Sequence, residues 1–318
     1  MNRYLTRRIL LAIPTLIGLT LMIFGIMRIL PGDPLGTFMT GDYFQIMTDE
    51  EINRLRADLG LDRPLILQYW DWVSDVLTGS FGRSHHRNDP IINTIRRRGL
   101  ISMEIAFLSV IFSWIIGLPV GIISALKPHS FSDVSVSTTA VLFLAIPNFW
   151  LGLLIVLVTV TFWGYHPPLA GVHFWEDPWT NFQIVIWPVV VLGTSMAAII
   201  ARMARSSLFE VLREDYVRTA RAKGLVERMT ILRHAVPNAL LPVLTLSGVM
   251  LGFALGGSVA VEVAFGTPGI GKTMVSAAWE RDMNVVQSLV LLYGMTFVLV
   301  NLVVDLLYGW IDPRIRLS

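Results

Sequence analysis

Six long apolar runs divide the chain, at residues 9–30, 101–126, 134–163, 184–201, 239–261 and 285–310. Each is long enough to carry a helix across a hydrocarbon core of about 30 Å. Polar residues gather between them, and the two longest polar segments are 31–98 and 202–238. The pattern predicts an all-α polytopic membrane protein with six transmembrane helices. The first run follows Arg3, Arg7 and Arg8. It is too long for the apolar stretch of a signal peptide and no A-x-A cleavage pattern follows it, so it reads as a retained helix. Arg28, close to its end, can snorkel outward. The third run has room to tilt or break, with Pro147-Asn148 in its middle. Pro119, Pro188 and Pro242 also fall within or at the start of runs. Membrane helices tolerate proline where neighbours satisfy the freed carbonyls, so these positions are either ordinary kinks or the shape of a translocation path.

Between the runs, two segments have structure of their own. Segment 31–98 starts with the helix-stopping Pro31-Gly32-Asp33-Pro34, looks helical over 49–59, and carries Tyr69, Trp70, Trp72 and Phe81. Its length and aromatic content predict a small extracytoplasmic subdomain, either a surface for a binding protein or a cap on the bundle. The second segment, 214–237, is EDYVRTARAKGLVERMTILRHAVP. It reads as two short helices joined at Gly224, where a glycine can take φ > 0. Glu214 and Arg218 stand i,i+4 with the acid on the favoured side. Leu208, Val211 and Leu212 give an apolar stripe before the turn; Met229, Leu232 and Val236 give one after it. Pro237 limits the second piece. An elbow stranded between spans has little in its own chain to pack on and reads as a docking surface. A solvated basic loop is the plainer alternative.

Composition agrees with the membrane reading. Hydrophobic residues make up 54% of the 318 and charged ones 15%, and mean hydropathy is +0.63. The net charge of +2 reflects basic residues beside apolar spans, which points to membrane orientation and not to nucleic acid. With the N-terminus inside, inner segments 1–8, 127–133, 202–238 and 311–318 carry +3, 0, +4 and +1, and outer segments 31–98, 164–183 and 262–285 carry −2, −2 and −1. Both termini and the 214–237 elbow are thereby expected in the cytoplasm. Arg96-Arg97-Arg98 runs against the rule only at the end of a long loop. Cysteine is absent, which excludes disulfides, thiolate metal sites and a cysteine nucleophile. His85-His86 is the only histidine pair, and neighbouring residues face apart, so no metal site is expected.

The elbow also carries a resemblance. Ala220, Gly224 and Pro237 fall at the spacing of the EAA motif of ABC importer permeases, with glycine thirteen residues before proline. Arg218-Thr219-Ala220-Arg221-Ala222-Lys223-Gly224 is similar to the form in the oligopeptide, dipeptide, nickel and glutathione permease family. Arg218 and Thr219 replace the motif's first Glu and Ala, and His234 stands where an apolar residue is usual. Pro31-Gly32-Asp33-Pro34, the 60–65 stretch and Gly79-Ser80-Phe81-Gly82 resemble signatures of the same family. The resemblance implies the type I ABC importer permease fold, divided into 1–30, an outer subdomain at 31–98, a permease core at 99–310 and a cytoplasmic tail at 311–318. It implies a non-catalytic subunit without a cofactor, in a bacterial inner membrane. Its partners would be a homologous second permease, two cytoplasmic ATPases that bind ATP and Mg, and an extracytoplasmic solute-binding protein. Asp215, Tyr216, Arg218, Thr219, Ala220, Arg221, Ala222, Lys223, Gly224 and His234 would form the coupling contacts, with Arg218, Arg221 and Lys223 pairing with the ATPase.

Two other classes deserve a test against the residues. Gly266-Thr267-Pro268-Gly269-Ile270-Gly271-Lys272-Thr273 matches the P-loop string, which would suggest a nucleotide-binding protein. That chemistry needs a strand before the glycines and a helix after them, and here a membrane span precedes them; a tight turn re-entering the outer mouth fits better. An ion-coupled secondary transporter or channel would need carboxylates near mid-bilayer. Arg28, Glu104, Glu262 and Asp305 all lie near span ends, in reach of water or headgroups, where anchoring or helix pairing explains them.

Overall fold

A computed structural model describes residues 2–29, 49–58, 60, 62–84 and 86–311. The 31–34 stop, His85 and the tail after 311 lie outside them. Helix α1 (Asn2–Ile29) precedes α2 (Asp49–Asp58) and α3 (Leu65–Leu77). Next come α4 (Ile91–Leu126), α5 (Phe131–Ala145), α6 (Asn148–Trp163) and α7 (Pro178–Val211). The elbow holds α8 (Asp215–Ala222). A single turn α9 (Glu227–Met229) then widens into a π-helical stretch (Thr230–Ala235) and runs on as α10 (Val236–Phe265). A ten-residue α11 (Ile270–Trp279) and α12 (Met283–Ile311) complete the order. Among the described residues the only β pairing is an isolated bridge, Arg83 to Pro90.

Among the described residues five helical stretches are long and apolar enough to span a membrane, and six if α5 and α6, bent by 91° at their junction, count as one broken span. The expected third run therefore breaks where its Pro-Asn pair stands. Pro147 has no N–H and bars the helical region to the residue before it; Ile146 is extended, at φ −84 and ψ 122. Asn148 is then hydrogen-bonded through its side chain to Ser195 of α7, which ties the break to the bundle. The second and fourth runs are longer than the sequence suggested. Helix α4 starts at Ile91, so Arg96 to Arg98 lie on its first turns and a division at 98/99 falls inside it. Helix α7 starts at Pro178, its N-cap Asp177 accepting from the N–H groups of Trp179 and Thr180. Proline at N1 and aspartate at the N-cap are the expected start signals. Hydrogen bonds from Thr180 hold the Asp177 carboxyl below the usual carboxylate range.

The α4–α7 pair forms the centre of the bundle. Ser109, Ser113, Gly117, Gly121 and Ser124 recur along the buried face of α4, and α7 answers with Gly193, Ala197, Ala201 and Ala204. Without a hydrophobic drive between helices in lipid, small residues let backbones close up and gain dispersion contact. The approach is tight: a Cβ on Gly117 would stand 2.6 Å from the Ala197 carbonyl oxygen, and one on Gly121 2.5 Å from that of Ala201. Backbone atoms cannot step aside, so Gly121→Leu is expected to cost about 1–3 kcal/mol or more by overpacking. A lowered melting temperature of the detergent-solubilised protein would show it. On the other side, α10 packs on α7, and α12 packs on α10 and α1.

The segment after α1 folds back on the bundle. Helix α3 lies on α1 through Tyr69 and Trp72 against Phe24, and Tyr69 shares a 2.9 Å hydrogen bond with Thr20. Loop 80–90 docks on the start of α12: Ser84 donates to buried Asp282 at 2.5 Å and Ser288 donates to the Phe81 carbonyl.

Candidate functional site

The elbow begins where α7 ends at Val211. Glu214 caps α8 in an extended conformation. The helix ends in a Schellman turn, with Gly224 N–H bonded to Arg221 O and Leu225 N–H to Ala220 O. Gly224 has φ +79, the left-handed conformation that the sequence assigns to it. Across the turn Arg221 grips Glu227 with two hydrogen bonds, Nε to Oε2 at 3.0 Å and Nη2 to Oε1 at 2.7 Å. The Glu227 carboxylate holds the Arg221 guanidinium above its ordinary range. Asn238 donates to the Tyr216 hydroxyl at 3.1 Å and to the His234 carbonyl at 2.9 Å, fixing α8 to the root of α10.

Three details differ from the sequence reading. The elbow has more to pack on than expected: Val217 and Ala220 are buried with Ala125, Leu208, Ala235 and Ala239. Arg218 turns to Asp215, 3.5 Å away, and not to Glu214, whose backbone serves as the cap. Pro237 does not limit the second piece. The π-helical turn before it displaces the carbonyl that the ring would strike, so the helix runs unbroken from Glu227 to Phe265. Thr230 and Ala235 face inward, and Met229 and Leu232 face out.

Most of the nominated elbow residues are on the surface. Asp215, Tyr216, Arg218, Thr219, Arg221, Ala222, Lys223 and Gly224 are exposed, His234 is half-buried and Ala220 is buried as packing. Beside them lies an exposed apolar strip, Leu225, Val226, Met229 and Leu232, with Val226 70% exposed; Met229 and Leu232 belong to the stripe expected after the turn, and Leu225 and Val226 extend it. An apolar strip flanked by cationic side chains at the tip of a braced helical turn has the character of an interaction surface.

Behind the elbow sits a polar joint that the sequence reading missed. Asp133, on the first turn of α5, receives Arg205 Nε at 2.6 Å and Nη2 at 2.8 Å from α7, Ser124 Oγ at 2.5 Å from α4 and the His129 N–H at 3.0 Å. Ser207 of α7 donates to the Ala239 carbonyl of α10 at 2.9 Å. Four helices are thus fastened within one layer at the elbow end. The available signal was a carboxylate on the short 127–133 connection and an arginine just past an apolar run.

The glycine loop at the far end is no nucleotide site. Its N–H groups face inward: Lys272 N–H donates to Glu262 at 3.1 Å and Ile270 N–H to Ser102 at 2.9 Å, and the Lys272 ammonium donates to the Gly266 carbonyl at 2.7 Å. The place a phosphate would take is filled by the chain's own carboxylate. Glu262, expected to be peripheral from its position at the end of a run, is not. It is fully buried, because α10 runs on past it and α11 folds across it. Glu104 does pair between helices, accepting from Asn181 of α7 at 3.1 Å. Arg28 donates to Gln68 of α3 and lies over the Phe24 ring. The Asp305 side chain lies outside the described residues. Among the described residues no group of three His, Asp or Glu could hold a metal ion.

Membrane-length helices with an exposed cationic and apolar elbow at one end are the arrangement of a polytopic membrane protein with a surface exposed at that end. The chain belongs to the family of binding-protein-dependent transport system inner membrane components. That family's model matches residues 117–317, and the model for the N-terminal part of such components matches residues 1–105. It is 38% identical over 339 aligned positions to the dipeptide transport system permease protein DppB of Escherichia coli K12, covering 99% of each chain. It is 37% identical over 316 positions to the glutathione transport system permease protein GsiC of the same strain, again over 99% of each. The fold is similar to that of the MetNI methionine ABC transporter, with a TM-score of 0.54 at 20% identity over 70% of this chain and 97% of that one. The protein is therefore a non-catalytic, multi-pass permease subunit of a bacterial ABC importer of the peptide class. The family works with ATPase and substrate-binding partners. The ion-coupled and nucleotide-binding classes give way to it.

Proposed function

We propose that this permease moves peptides or similar small solutes, as the names of its relatives suggest, and that residues 214–237 are its coupling elbow. The observation that carries the reading is the braced tip: an exposed apolar and cationic surface on a short helix, clamped by Arg221–Glu227 and Asn238 so that it moves as a lever. Two cytoplasmic ATPases would bind ATP and Mg and, on closing, draw this elbow and that of a homologous second permease together. A helical lever turns such closure into alternating access. Arg218 and Lys223 supply charge to the ATPase; Arg221 is engaged within the elbow and braces it. The excess of basic residues at the elbow end supports a cytoplasmic elbow and cytoplasmic termini. The segment 31–98 would then meet the solute-binding protein outside.

Absence of cysteine makes the topology directly testable. With Arg218→Cys in membranes that hold the two permeases without ATPases, a membrane-impermeant maleimide is expected to label inverted vesicles and spare intact spheroplasts, and added ATPase subunits should protect the site. Labelling from the outer side alone would overturn the assignment.

A further inference from the structure

Helix α11 closes one end of a seam. Three cavities of ≈ 310, 450 and 560 Å³ follow one another along the join of α4, α10 and α12. The first lies under Ile270 of α11, between Gly99, Ser102, Leu255 and Tyr293. It shares Met103 and Leu255 with the second, which shares Phe107 and Leu251 with the third. The Tyr293 hydroxyl at the first cavity is buried and has no hydrogen-bond partner.

One face of α11 is held by apolar packing, Ile270 and Ala277 against Ile91, Val285 and Leu289; the face toward α10 is held by a buried carboxylate. Glu262 accepts from Ser102 at 2.7 Å, from Ser258 at 3.0 Å and from the Lys272 N–H at 3.1 Å. Among the described residues no ion pair involves it, and the ammonium of Lys272 is spent on Gly266. Gly269 and Gly271 exist for this contact: a Cβ on the first would lie 2.3 Å from the carboxylate, and one on the second 2.6 Å from the Val259 Cα. Apolar packing alone would fix the second face at lower cost, because a buried carboxylate without a counter-charge loses its hydration; the carboxylate makes this face the one that can release. Both ends of α11 are bounded by left-handed residues, Gly266 at φ +67 and Arg281 at φ +57. Its other polar ties are the Ile270 N–H to Ser102 Oγ at 2.9 Å, Arg98 to Thr273 at 2.6 Å and Arg87 to Glu280 at 3.2 Å.

We propose that α11 is a movable stopper over the seam and that Glu262 is the positioning residue that latches it. The carboxylate seated in the first turn of α11 is the closed state. Opening swings α11 on the 266 and 281 turns, uncovers the first cavity, and gives water to Glu262 and the Tyr293 hydroxyl. This rests on the permease reading, and it gives the glycine loop a role: the P-loop-like string grips an anion of its own chain.

The test uses Ala277→Cys, a buried position on α11, in the importer assembled with its second permease, ATPases and binding protein. Modification by an impermeant maleimide is expected to be slow at rest and about tenfold faster when vanadate and ATP trap the ATPases closed, as for a local opening with a shifted population. Adding Glu262→Ala should make labelling fast in both states. Glu262→Gln, which keeps the shape and an acceptor oxygen, should restore most of the resting protection. A rate indifferent to trapping in the Glu262 background overturns the proposal whether or not the Ala variant assembles, and so does an unchanged resting rate in Glu262→Ala. Failure of the ATPases to assemble, or Arg218→Cys labelling from outside, would instead remove the permease reading.

Discussion

Arg205→Ala is expected to be among the most damaging single substitutions at the elbow end, lowering the yield of assembled importer roughly tenfold or more, because it strands a buried carboxylate. Asp133 keeps Ser124 and the His129 N–H but loses the only cation that reaches it among the described residues. The reverse change is milder. With Asp133→Ala, the Arg205 side chain is already 34% exposed and can turn its guanidinium toward water or headgroups while its stem stays packed. The double variant should therefore assemble better than Arg205→Ala alone, which is the sign of a coupled pair. Quantifying assembled complex by size-exclusion chromatography for the three variants decides it. Equal losses for the two single variants would mean that a stranded carboxylate is not what makes Arg205→Ala the worse, and a double variant that loses the sum of the two would mean that the pair is not what holds α5 to α7.

The joint also shows why the elbow end is stiff. The Asp133 hydrogen bonds fasten α4, α5 and α7, and the buried cluster of Ala125, Leu208, Val217, Ala235 and Ala239 joins α4, α7, α8 and the root of α10. Under the proposed coupling role, motion of the elbow tip would be carried into at least three spans and not absorbed in a loop.

Hydropathy alone located all six spans, since a run of twenty apolar residues has few other uses. It located their ends poorly. Helix α4 reaches back to Ile91 through three arginines because Arg98 is satisfied by Thr273 of α11, a contact 175 residues away along the chain. Pro147 was legible as a break because its effect is local. Pro237 was misread because its effect depends on the π turn just before it, which leaves no mark in periodicity. Within the elbow, Gly224 was legible from the turn chemistry of glycine. Of the outward apolar strip, Met229 and Leu232 were legible as the stripe of the second piece; Leu225 and Val226 were not, since their exposure is set by the turn and not by a helical period. Glu262 was misjudged for a different reason: counting residues to the end of a span says nothing about what folds over that end.

Replacement at Gly224 separates strain from bulk. A Cβ there would find nothing within 4 Å, so the cost of substitution is set by φ +79 alone. For a β-branched residue that cost is about 1–2 kcal/mol or more. The clamp Arg221–Glu227 and the Asn238 ties hold both arms, so the strain is relieved by opening the Schellman turn and re-aiming the tip. A shift of one or two kcal/mol changes the population of a correctly aimed elbow by about 5–30-fold. Gly224→Val is therefore expected to leave the subunit in the membrane but to cut ATP hydrolysis stimulated by the binding protein about tenfold, within that range. Gly224→Asn, which tolerates the left-handed region, should keep most of it. Ala should fall between, and adding Arg221→Ala to Gly224→Val should recover activity if the clamp is what confines the strain. If Val and Asn couple equally well, the angle of the turn is not what transmits the stroke, and the apolar strip of Leu225, Val226, Met229 and Leu232 must be carrying it through contact alone.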